Sequence, residues 1–166
     1  MRSITFVLVG MALPFLAAPA AFAQRSSDTT LVVSAAVRWA GGRIASTERV
    51  GVVLPAGASV PSNGSPPTAE VEAALSAASI LHAPLVRADT AFGCAAPRST
   101  CLPDGIDVLA RITVGSVSSD TGTVVVLLDR PGGTPHSRDV LRGWLIQLSR
   151  VGQAWVVDKV LRNYVS

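Results

Sequence analysis

Apolar residues change their spacing several times along this chain, and each change marks a different kind of element. A nearly unbroken apolar run from Ile4 to Leu16 comes first, followed by Ala21-Phe22-Ala23. Leu31, Ala35 and Trp39, with Val32 and Ala36 beside them, then recur at the three-to-four spacing of one helix face. Asp28 or Thr29 is placed to cap that helix, which the pattern starts near Thr30, after an irregular Gln24-Arg25-Ser26-Ser27. Gly41-Gly42 stops it. Arg49 to Leu54 is a short strand rich in β-branched residues, and Pro55 closes it.

Residues 55–67 (PAGASVPSNGSPP) have the Gly, Pro and Ser density of a solvated loop. Asn63-Gly64-Ser65 matches a glycosylation acceptor pattern, but a turn is the stronger reading. Thr68 caps a second helix, with Glu70 and Glu72 in the first turn facing the positive end of the dipole. Its apolar stripe is Val71, Leu75 and Ala78 with Ala74 and Ile80, and Pro84 sets its latest end. Residues 85–104 read as irregular.

From Gly105 onward the period becomes two. Ile106, Val108, Ala110, Ile112 and Val114 form one inner face, alternating with Asp107, Leu109, Arg111 and Thr113. Ser118 to Gly122 is a hairpin turn in which Gly122 is free to take positive φ. Thr123 to Asp129 returns, and its VVVLL run predicts burial on both sides. Arg130 to Pro135 is a looser connection, Arg138 to Ser149 a third strand, Arg150 to Gln153 a turn, and Ala154 to Val165 a fourth strand. The expected class is α+β: two short helices packed on one face of a mainly antiparallel sheet, with a C-terminal four-stranded meander.

The closing segment WLIQLSRVGQAWVVDKVLRNYV (Trp144 to Val165) resembles the last hairpin of the NTF2-like (SnoaL-like) superfamily, in which a strand, a basic-Gly turn and a Trp-led apolar strand recur. The resemblance covers about the final quarter of the chain. It implies a conical pocket between helices and a curved sheet, and no particular activity. The short first helix and the long segment at 85–104 depart from that family.

The first 23 residues read as a secretory signal: Arg2 as the n-region, Ile4 to Leu16 as the h-region, and cleavage between Ala23 and Gln24. A membrane span needs roughly 20 continuous apolar residues, and this run is shorter, carries Pro14, and has no basic stop-transfer cluster after it. Gln24 also stands where a lipid-modified cysteine would be needed. The expectation is an exported protein, periplasmic or extracellular, with no membrane span after cleavage. Residues 24–166 then form a single domain; removing 23 of 166 residues leaves 143, enough for one core.

Charge adds little. Loss of Arg2 takes the 14 basic residues to 13, against 11 acidic ones, and no basic block or aromatic-basic stripe calls for nucleic acid. Cys94 and Cys101 are separated by six residues, and in an oxidising compartment a local disulfide is the favoured reading. A redox couple would more usually be Cys-x-x-Cys, and a zinc site would need more ligands than His82 and His136 add.

No nucleophile elbow, zinc-protease motif, phosphate-binding loop or EF-hand is present. No metal site or cofactor is expected. His82 could serve as a general base oriented by Asp89, but a histidine satisfied by a helix C-terminus or solvent is the stronger reading. His136 reads as solvated. Asp107 and Arg111 share the outer face of a strand with Asp129 near its partner's end, giving either a surface ion pair or a polar wall for a ligand. Trp144 and Trp155 flank the last turn and form a cross-strand pair if they lie opposite, either as core or as an exposed platform. Leu141 and Leu145 point away from Trp144 and Ile146, so both sheet faces are apolar and a homodimer or partner surface is expected. The leading expectation is a non-catalytic exported domain binding a small ligand or an envelope protein. The alternative is a small-molecule isomerase, cyclase or hydrolase with a pocket between helices and sheet.

Overall fold

The computed structural model describes residues 18–60, 67–88, 102–130 and 140–165. Two helices pack on one six-stranded mixed sheet, the expected α+β class. In chain order the elements are α1 (Ala18–Gly41), β1 (Val50–Leu54), α2 (Ala69–Leu81), β2 (Leu85–Arg87), β3 (Val108–Val117), β4 (Thr121–Arg130), β5 (Val140–Val151) and β6 (Ala154–Val165). The sheet order is β2-β1-β3-β4-β5-β6. β1 runs parallel to both β2 and β3, whereas β3 to β6 form the antiparallel meander. Among the described residues no helix is long and apolar enough to cross a membrane.

The helices cover one sheet face. α1 buries Val32, Val33, Ala36, Val37 and Ala40, and α2 buries Val71, Ala73, Ala74 and Ala77. Below them lie Val52, Val108, Ala110, Val124, Val126, Leu128, Ile146, Leu148 and Trp155 in one continuous core. Alanines and valines dominate the helix faces, so the helices sit close to the sheet. Gly122 enforces that approach: a Cβ there would stand 2.8 Å from Cγ1 of Val32. The opposite face carries a smaller cluster of Val53, Val86, Ile106 and Leu109, with Leu102 and Ala88 against it.

Several sequence expectations are corrected. The first helix begins at Ala18 instead of near Thr30, so Asp28 is not its cap, and Ala23 and Gln24 fall within it. Its buried face is also rotated: Leu31 is exposed, while Val33 and Val37 are buried. Three residues of the segment read as irregular form β2, held by parallel pairing with β1 through Val52, whose N–H donates to the Pro84 carbonyl at 2.9 Å. Ile106 precedes β3 and packs on the far face, not in the helix-side row. Gly122 lies within β4 and does not have positive φ; in the hairpins that role falls to Gly152, at φ 64° in the last turn. β4 buries Val124, Val126 and Leu128 fully and leaves Val125 and Leu127 half-buried, so its run is two-sided only in part. β5 continues to Val151, past the expected end at Ser149.

Thr68 caps α2 as read from the sequence, its hydroxyl accepting from the Val71 N–H at 3.4 Å. Residues 94 and 101, with the expected disulfide, lie outside the described residues, as do Asp89, His136 and Asn63-Gly64-Ser65.

Candidate functional site

The pairing of β1 with β3 determines where the sheet opens. Gly51 lies opposite Leu109, with Val52 opposite Ala110. Because Val52 turns its N–H to β2, Gly51 and Val53 turn theirs to β3, and the backbone groups of Val108 and Ala110 answer them. The next residue, Pro55, has no N–H to donate and ends the ladder. The chain turns away there, with the Ala58 N–H donating to the Pro55 carbonyl at 3.0 Å. β3 runs on to Val117, paired among the described residues with β4 on one side only. Val114 and, past the bulge between Val114 and Ser116, Val117 fall in the alternation that points to the open side.

Two cavities lie along this free edge. The larger, about 800 Å3, is lined by Val114 to Ser119 together with Asp28 and Thr29 of α1, Ala69 and Glu70 of α2, and Arg150. The smaller, about 380 Å3, is more apolar, with Val53, Leu54, Pro55, Ala88 and Ile112 beside Arg111 and Glu70. Glu70 lines both, so an apolar and a polar cavity meet at this residue along one groove-like edge. Its exposed carboxylate, in the first turn of α2, has no ion-pair partner among the described residues.

Arg150 builds the wall of the polar end. Its Nη2 lies 3.3 Å from Oδ1 of Asp28, and Nη1 donates to the Ser119 carbonyl at 3.3 Å. The Arg150 N–H donates to the Asp120 carbonyl at 2.9 Å, and the guanidinium lies 5.6 Å from the centroid of the Trp155 ring. One side chain thus ties α1, the β3–β4 turn and the β5–β6 hairpin together. Thr30 donates to Glu72, and the Ser34 and Ser76 hydroxyls meet at 3.1 Å, so the two helices are also fastened by polar contacts. Ser118 is taken up by its own turn, bonding Thr121 through its hydroxyl, and Ser119 donates to Asp120.

The residues singled out from sequence do not converge here. His82 caps the C-terminus of α2 in the left-handed conformation (φ 50°, ψ 40°), exposed, its N–H donating to the Ala78 carbonyl. Twelve helical positions put it about 18 Å from Glu70. Asp107 is exposed and pairs with Arg49, not with Arg111: Nε to Oδ2 is 3.1 Å and Nη2 to Oδ1 is 3.2 Å. Those hydrogen bonds hold the Asp107 carboxyl below its ordinary range and raise the guanidinium. Arg111 alone of the group lines the groove. Trp144 and Trp155 are not opposite one another; Trp144 faces Asn163 and Trp155 faces Arg150. Trp144 is half-buried and meets Trp39 edge-on, centroids 5.6 Å apart at 88°, while Trp155 is 7% exposed. Both belong to the core. Buried Asp129 lies two register positions from Arg111, on the face away from the helices.

The sequence reading passed over Asp28, Glu70, Ser116, Ser119 and Arg150 as ligand-facing groups. Asp28, Glu70, Ser119 and Arg150 each had a sufficient local explanation as a cap, a dipole partner or a turn residue, Ser116 had no role in the pattern, and only non-local packing of α1, α2 and β5 beside β3 brings them together. Among the described residues no group of three or more His, Cys, Asp or Glu could hold a metal ion. No family model, curated protein or solved structure matches this chain.

Proposed function

We propose that this protein is exported, loses its first 23 residues, and works as a non-catalytic binding domain whose site is the groove along the free edge of β3. The observation that carries the reading is a cavity of about 800 Å3 set beside unpaired strand backbone and lined by hydroxyl, carboxylate and guanidinium groups. That volume falls in the range of ligand sites, where a few polar groups fix orientation. The scatter of His82, Asp107, Arg111 and Trp144 over separate elements speaks for binding over acid–base catalysis. His82 in particular sits at the wrong end of α2 to serve a ligand beside Glu70.

The test is an amide NMR titration of the protein purified from its host with a panel of short peptides, sugars and amino acids. Binding is expected to move the amides of Gly115 to Ser119, Asp28, Thr29, Ala69 and Glu70. Shifts clustered elsewhere, for instance in the groove of about 670 Å3 between Trp39 and Trp155, would move the site and overturn the reading. Turnover of any panel member would overturn the non-catalytic assignment.

A further inference from the structure

We infer, resting on the groove assignment above, that its occupant is an extended polypeptide segment carrying a basic residue, added as a strand along β3. Three features converge on that chemistry. First, an unpaired edge offers a regular row of backbone donors and acceptors, which only another extended backbone satisfies in series. Beyond the point where Pro55 ends β1, Val114 and, past the bulge, Val117 supply such groups among the described residues. Second, the groove follows the strand: its smaller cavity adjoins Arg111 to Thr113 and its larger one Val114 to Ser119. A ligand running along β3 would pass from an apolar end at Val53, Leu54 and Ile112 to a polar end at Ser116 and Ser119. Third, the charges facing this path are unequal in their demands. Asp28 is neutralised by Arg150, whereas the Glu70 carboxylate stands beside both cavities with no ion-pair partner among the described residues. A Lys or Arg on the incoming segment would complete it with a charge-assisted hydrogen bond.

β3 also lacks the usual protection of an edge. Its residues from Thr113 to Val117 carry no charge and no proline, and among the described residues a bulge is its one edge-guarding device. β6, the sheet's long outer strand, by contrast carries Asp158, Lys159 and Arg162 together with two register shifts against β5.

Panning a random ten-residue peptide library against the protein tests this directly. The selected peptides are expected to share one Lys or Arg position and to shift the amides of Gly115 to Ser119. Glu70→Lys, an exposed change, should weaken them roughly tenfold or more and turn the selected preference to Asp or Glu. Val114→Pro, which removes one free-edge N–H and leaves the β4 pairing in place, should weaken binding comparably, and Val117→Pro repeats the test if the first variant unfolds. Selected peptides without a basic position, or indifference to Glu70→Lys, would overturn the charge assignment. Binding unchanged in both folded proline variants would overturn strand addition. If small polar ligands still shift the groove amides in those cases, the groove reading survives; if nothing shifts them, it falls as well.

Discussion

At Gly122 a missing methyl group sets how closely α1 approaches the sheet. A Cβ there would meet Cγ1 of Val32 at 2.8 Å and Cγ2 at 3.1 Å, and Val32 is fully buried with little room to move. Gly122→Ala is therefore expected to destabilise the fold by about 1–3 kcal/mol, the range for overpacking a tight core. Urea denaturation measures it, and combining it with Val32→Ala should give a favourable coupling, because the second change removes the clash. A neutral Gly122→Ala would mean that α1 stands further from the sheet. The sequence could not have shown this role. Asp120-Thr121-Gly122 has turn chemistry, which makes positive φ the natural local reading, whereas the real constraint comes from a side chain ninety positions earlier. Trp144 and Trp155 mislead in the same way: their nearness to one turn suggests a pair, but register sends each to a different partner.

Elements were more legible than their partners. The capped second helix, the proline-ended β1 and the strands of the meander follow from local period and cap chemistry. The parallel seating of β1 between β2 and β3, and β2 itself, are set by contacts distant in sequence and leave almost no periodic trace in three residues. One tie between elements makes a pH prediction. Glu48, on the turn after α1, receives Arg130 of β4 through Nε at 2.5 Å and Nη2 at 2.9 Å. The Arg130 hydrogen bonds hold the Glu48 carboxyl below its ordinary value near 4.5. On acidification the unfolded chain takes up this proton before the folded one does. The stabilisation is therefore complete above the ordinary value and is lost as pH falls through the lowered one. Glu48→Gln is expected to cost under about 1 kcal/mol at neutral pH, since both side chains stay partly exposed. The cost should vanish below that window. Equal destabilisation at neutral and strongly acidic pH would show that packing, not charge, holds this contact.

Across the whole molecule, a parallel strand shorter than its neighbour leaves the sheet closed at one end and open at the other. Helices cover the closed part with alanine and valine; at the open part their first turns and middle reach over β3 and leave the groove. The local identities of its lining residues were readable from sequence, but their meeting was not, because it depends on where β1 stops beside β3. Native-state amide hydrogen exchange of the free protein tests this most directly, by comparing residues along β3. The Ala110 N–H, paired with β1, should exchange slowly with the core. Those of Val114 and Val117 should exchange orders of magnitude faster, with protection that appears only when a peptide is bound. Val114 as protected as Ala110 in the unbound protein would mean the edge is already covered, and would contradict the binding site placed here.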